Sequence, residues 1–131
     1  MGARILVIED NPTNLELMTY LLRAFGHAPV TAGDGEAGLE AALRERPDLV
    51  LCDLEMPRLD GYGVVRRLKA DPALRHIPVV AVTASAMVGD RDRVIATGFD
   101  GYISKPITPE TFVSEVEAFL PPAPDGDHPR R

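Results

Sequence analysis

Five side chains able to do chemistry stand at the ends of apolar runs. The run "ILVI" (Ile5–Ile8) stops at two acids, Glu9 and Asp10, and "LVLC" (Leu49–Cys52) stops at a third, Asp53. "VVAVT" closes on Thr83, and "GYISKP" carries Lys105 near its end. Two carboxylates about 4 Å apart repel by roughly 4 kcal/mol at an effective dielectric of about 20. Three acids brought together therefore take up a proton or bind a cation. Lys105 alone leaves them short of positive charge. An all-oxygen ligand set suits a hard divalent ion, and magnesium commonly combines one or two carboxylates with waters and a phosphate oxygen. An ionised aspartate beside magnesium, a lysine and a hydroxyl is equipped for covalent phosphoryl chemistry. The carboxylate attacks phosphorus, the cations neutralise the transferring group, and the hydroxyl donates to one of its oxygens. No separate base is required, because the nucleophile is already ionised.

Such residues meet only if the chain brings the run ends together. Ile5–Ile8, Leu49–Cys52 and Val79–Val82 are unbroken apolar stretches rich in β-branched residues, which suit strands buried on both faces of a parallel sheet. Weaker strands are expected at Ala28–Ala32 and Gly101–Ser104. Between them the period becomes helical. Leu15, Met18, Leu22 and Phe25 predict one helix, stopped by Gly26. Ala37, Ala41 and Ala42, with Leu43, predict a second that ends before Pro47, and Val64, Val65 and Leu68 a third. Val94 and Ile95 predict a short fourth, closed by Gly98. The last opens with Thr108 as N-cap, Pro109 at the first helical position and Glu110 in the first turn. Its apolar face would be Phe112, Val113, Val116, Phe119 and Leu120. Five alternating βα units imply an α/β fold around a right-handed parallel sheet. In such sheets the loops at the carboxyl ends of the strands form a crevice where the strand order reverses. If the first and third strands are neighbours there, Glu9, Asp10 and Asp53 converge.

The bulk numbers narrow the function. The 131 residues suffice for one domain with a core, and the 45% apolar and 26% charged content is that of an ordinary globular chain. Twenty acids against fourteen bases give a net charge of −6, which argues against direct nucleic-acid binding. No apolar run approaches the roughly 18 residues of a membrane span, and "MGARILVIED" lacks a signal-peptide layout. The expectation is a cytoplasmic protein without membrane insertion, consistent with a single cysteine. "PPAPDGDHPRR" (121–131) holds four of the twelve prolines and predicts a disordered tail after a domain spanning 1–120.

Four segments, "VIEDN", "CDLEMPRLDGYGVVRRL", "IPVVAVTASAM" and "GFDGYISKPI", resemble the receiver domain of two-component response regulators, in that family's order and spacing. The resemblance covers about residues 4–120, and within the family the wording is nearest to single-domain cell-cycle receivers of the DivK type. It implies a doubly wound, flavodoxin-like five-stranded sheet of order 2-1-3-4-5 with five helices. It makes Asp53 the phosphoacceptor and Asp10 the principal ligand of Mg2+, with Glu9 helping through water and the main-chain carbonyl of Glu55 as a further ligand. Thr83 and Lys105 would contact the phosphoryl group, and Pro106 would follow Lys105 through a cis peptide bond. Tyr102 takes the position of the family's switch aromatic. Glu55 and Ser85 lie where the family varies and would tune phosphoryl lifetime. The implied function is a phosphoacceptor signalling protein rather than an enzyme, loaded by a histidine kinase or histidine phosphotransfer protein. Phosphorylation adds about −1.5 to −2 charge units. Thr83 would move toward them and Tyr102 inward, changing the face of the fourth helix, fifth strand and fifth helix that a downstream protein reads. Complete switching from 1:99 to 99:1 needs about 5.5 kcal/mol, so a partner that prefers the active face could supply part. Homodimerisation on phosphorylation is left open.

Other readings compete. A phosphatase working through an aspartyl phosphate would need a nucleophile and a second acid two residues on after the first strand, but "EDNPT" places Asn11, Pro12 and Thr13 there. A phosphorylation-independent binding module would not require the full acidic set, and a receiver segment of a hybrid histidine kinase would share most of these motifs. Cys52, within an apolar run, reads as an inert buried thiol. His27, His76 and His128 show no metal-ligand spacing, and Arg66, Arg67 and Lys69 read as a solvated helix face. The "DGYG" glycines match no phosphate-loop pattern and are expected to shape the entry to the third helix.

Overall fold

The computed structural model describes residues 2–84 and 88–120, so Ser85 and the 121–131 tail lie outside the described residues. Strands β1 (Arg4–Ile8), β2 (Ala28–Ala32), β3 (Leu49–Asp53), β4 (Val79–Thr83) and β5 (Gly101–Ser104) alternate with helices α1 (Pro12–Ala24), α2 (Gly35–Glu45), α3 (Gly61–Ala70), α4 (Val88–Thr97) and α5 (Pro109–Glu117). All pairings are parallel, in the order β2-β1-β3-β4-β5. β1 and β3 are therefore neighbours at the point where the order reverses. Alternate β1 residues serve opposite faces: Leu6 and Ile8 join the core beneath α2, α3 and α4, while Ile5 and Val7 join that beneath α1 and α5. Burial on both sides explains the unbroken apolar runs.

Capping fixes where three helices begin on the site side. Asn11, Asp34 and Asp60 accept from the main-chain N–H groups of Asn14, Ala37 and Gly63 at 3.0, 2.8 and 2.9 Å. Thr108 holds the expected N-cap position of α5, but its side chain makes no capping bond. Phe25 is not part of the buried face of α1. It is the C-cap residue, where the chain leaves the helix toward Gly26 at φ +86°, and it is 61% exposed. Leu43 and Ile95 are also exposed, because each lies about 100° around its helix from the buried Ala42 and Val94. Phe119 and Leu120 follow the end of α5 and are half-buried against the core.

Two polar residues do more than the sequence suggested. Lys69 is no solvated charge: its Nζ donates to the carbonyls of Arg75 and Ile77 and to Asp100 Oδ2, at 3.3, 3.0 and 3.1 Å. Asp100 Oδ2 in turn accepts from the N–H of Val79 at 2.8 Å, so one ammonium and one carboxylate anchor the start of β4. His27 accepts from the Ala3 N–H at Nδ1 (3.0 Å), which leaves Nε2 as the donor to Glu117 Oε2 at 2.7 Å.

Candidate phosphoryl and metal site

Strand register assembles the site. Ile8 pairs with Cys52, so the next residues on each strand, Glu9 and Asp53, emerge side by side at the carboxyl edge. Asp53 pairs with Val82 and Thr83 with Ser104, and the Lys105 N–H donates to the Thr83 carbonyl at 2.8 Å. Asp53 and Thr83 are thus the last residues of their strands, held by ladder bonds rather than carried on loops. The Lys105–Pro106 peptide bond is cis.

The acids divide by depth. Asp10 is exposed, whereas Glu9 is 1% and Asp53 6% exposed. One oxygen from each lies within 4.8 Å of the others. Glu9 Oε2 accepts from the Asn11 N–H at 3.2 Å, and Asp53 Oδ1 from the Glu55 N–H at 3.2 Å. Glu9 Oε1 receives no well-directed hydrogen bond, and its compensation is the charge of Lys105 Nζ at 3.0 Å. The same ammonium lies 3.5 Å from Asp53 Oδ2. Burial, reinforced by the Glu9 charge, pushes the Asp53 carboxyl up to about 6, although Lys105 and the Glu55 N–H pull the other way. Burial acts to lower Lys105, but its contacts with Glu9 and Asp53 outweigh that and raise it. A second cation would relieve this repulsion: a buried acid pair shares one lysine, and an oxygen of an exposed third acid lies within 4.8 Å of theirs. The oxygen donors and their spacing fit a hard divalent ion.

The main chain at Asp53 is pinned from the other side. Gly61 opens α3, and its N–H donates to the Leu54 carbonyl at 3.0 Å. A Cβ there would stand 2.5 Å from the Asp53 carbonyl oxygen and 2.8 Å from Leu54 Cα, both backbone atoms. The first glycine of "DGYG" is therefore an approach requirement, legible in the sequence only as a loop feature. Gly61→Ala is expected to cost about 1–3 kcal/mol in urea denaturation and to shift the amide resonances of Asp53 and Leu54. Unchanged stability and resonances would mean that the backbone yields freely. Cys52 lies against the same carbonyl, Sγ to O at 3.3 Å, and burial with the nearby acids holds its thiol far above the ordinary range. Both effects favour the neutral thiol. Tyr102 is half-buried on β5 with the Arg91 guanidinium 5.1 Å from its ring centroid, a contact that the sequence pattern did not signal.

Residues 5–117 match the response regulator receiver domain family. The chain is 40% identical over 120 residues to the polar-differentiation response regulator DivK of Brucella anthropi, covering 92% of this chain and 98% of that protein. The DivK of Brucella ovis is 39% identical over 120 residues with the same coverage. Among solved structures, the receiver domain of a Pseudomonas aeruginosa sensor histidine kinase, with magnesium coordinated in its active-site cleft, superposes with a TM-score of 0.82 at 33% identity, over 91% of this chain and 98% of that one. Chemotaxis protein CheY4 of Vibrio cholerae shares the fold, with a TM-score of 0.86 at 24% identity over 92% of this chain and 100% of that one.

Proposed function

Because this chain belongs to the response regulator receiver domain family, we propose that it accepts a phosphoryl group on Asp53 from a phosphohistidine donor and thereby changes its affinity for a protein partner. The observation that carries this is the convergence of Glu9, Asp10 and Asp53 oxygens within 4.8 Å beside Lys105. Asp53 supplies the attacking oxygen: a carboxylate O–P bond forms as the bond from phosphorus to the donor nitrogen breaks. Lys105 lies near enough to both buried acids to follow the negative charge from carboxylate to phosphoryl oxygen. Thr83, buried at the end of β4, offers a hydroxyl on the opposite side of Asp53 from β1. Asp10, Asp53 and the Glu55 carbonyl are the residues that would hold Mg2+, with Glu9 acting through water. Bound there, the ion would neutralise phosphoryl charge and orient the group for in-line attack. The donor would be a histidine kinase or histidine phosphotransfer protein, and the cytoplasm the compartment. The readout would run through Tyr102 and the α4-β5-α5 face.

Intact-mass spectrometry after incubation with acetyl phosphate tests the acceptor. One phosphoryl gain that requires magnesium and is absent from Asp53→Asn is the expected result. No adduct under rapid quenching, together with no binding of beryllofluoride, would overturn the reading.

Metal binding should follow pH in a defined direction. Ligands must be ionised to bind, and Asp53 in the metal-free protein gains its proton near pH 6. Magnesium affinity is therefore expected to fall roughly tenfold between pH 7 and pH 5, measured by titration calorimetry. A flat affinity over that interval would show that Asp53 is not a ligand.

A further inference from the structure

Helix α4 has an unusual attachment. Among its described residues only Val94 is fully buried, and Ile95 points to solvent. Two arginine–tyrosine stacks also join it to neighbouring elements. The Arg93 guanidinium lies 4.2 Å from the ring centroid of Tyr62 at the start of α3, and Tyr62 meets Phe99 edge-on at 6.2 Å. Arg91 lies 5.1 Å from the ring centroid of Tyr102 on β5. Both separations are within the range where a guanidinium is attracted to an aromatic face. The two rings differ in burial. Tyr62 is buried in the core beneath α3, whereas Tyr102 is half-buried on the edge strand. The Arg93 stack therefore ties α4 to a buried ring, and the Arg91 stack ties it to a less buried ring at the sheet edge.

We propose that Arg91 is a positioning residue that restrains the switch: its stack on Tyr102 stabilises the unphosphorylated arrangement and opposes the ring's rotation. The inference rests on the phosphoacceptor reading above and adds to it the group that sets the resting bias. A contact made in only one of two states shifts their balance by its own free energy. Removing it should make the activated state easier to reach, and so tighten binding of whatever ligand selects that state.

Beryllofluoride with magnesium supplies such a ligand, because on an aspartate it mimics the acyl phosphate. Fluorine NMR titration would compare the unaltered protein, Arg91→Ala, Tyr102→Leu and the double variant. Arg91 is exposed, so its truncation leaves the core intact. Arg91→Ala is expected to bind beryllofluoride roughly two- to five-fold more tightly, with no such gain in the Tyr102→Leu background. The sign is diagnostic. If Arg91 acted merely as a nearby positive charge, its loss would weaken binding of an anion, with or without the tyrosine ring. Weaker or unchanged binding by Arg91→Ala, or an equal gain in the Tyr102→Leu background, would overturn the proposal while leaving the phosphoacceptor reading intact. Failure of the unaltered protein to bind at all would overturn both.

Discussion

Asp53→Asn is expected to make the metal-free protein more stable at pH 7, by about 2–3 kcal/mol. The residue proposed as phosphoacceptor is one whose charge the fold disfavours. Its carboxyl is raised from 3.8 to about 6 by burial and by Glu9, so the folded protein binds a proton there more readily than the unfolded chain does. The sign follows from linkage. Below pH 3.8 both states are protonated and there is no penalty; between 3.8 and about 6 the penalty grows; above 6 it is complete. Asparagine removes the charge and keeps an acceptor for the Glu55 N–H. The gain should therefore be large at pH 7 and vanish near pH 3.5, as read by urea denaturation in EDTA. Saturating magnesium should reverse the ranking if Asp53 is a ligand, because binding would then favour the chain that retains its carboxylate. Equal stability of the two proteins in EDTA at neutral pH would show that the Asp53 carboxylate is not strained.

Lys105→Met should act in the opposite direction. It leaves Glu9 Oε1, 1% exposed as a residue and without a directed hydrogen bond, facing Asp53 with no positive charge between them. Breaking a buried ion pair by removing one partner typically costs about 3–5 kcal/mol, and the lower figure applies here because Asp53 can take up a proton. The loss should shrink as pH falls below 6. Magnesium should restore much of the stability, since a divalent ion meets the same electrostatic need. It should not restore phosphoryl incorporation, which is expected to drop about a hundredfold when a charge-stabilising group is lost. A stable Lys105→Met protein in EDTA would mean that the acids are already protonated at neutral pH. Full incorporation in that variant would remove Lys105 from the chemistry.

The sequence made the three central strands, β1, β3 and β4, legible because their apolar runs are buried on both faces, so that no polar residue interrupts those runs until the site begins. That is also why Asp53 and Thr83 stood out: each is the first polar side chain after a run that admits none. Helix edges were harder to read. Phe25 fits the apolar period of α1, yet the chain has already turned away, and the size of a side chain does not reveal where a helix unwinds. The bonds of Lys69 and His27 are illegible in the sequence for a different reason. Their partners, Asp100 and Glu117, are 31 and 90 residues away, and no local pattern encodes a bond across that distance. The greater depth of Glu9 relative to Asp10 likewise comes from strand alternation and from the Glu9 N–H bonding to the Ala32 carbonyl at 3.0 Å, neither visible in an adjacent pair of acids.

The missing side chain at Gly61 also bears on how fast the domain can react. With α3 seated against the Asp53 carbonyl and β1 and β4 on either side, the main chain of Asp53 is closely packed. If Asp53 is the acceptor, as proposed, mainly its side-chain torsions would remain to be fixed when a donor arrives. The entropy of aligning the nucleophile was lost when the domain folded, and folding occurs once, whereas each phosphoryl donor is a new encounter. Well-oriented groups of this kind can reach effective concentrations of about 10⁵ M or more relative to a freely diffusing carboxylate. A small, mobile donor with few contacts of its own can then suffice, because little further ordering is asked of it.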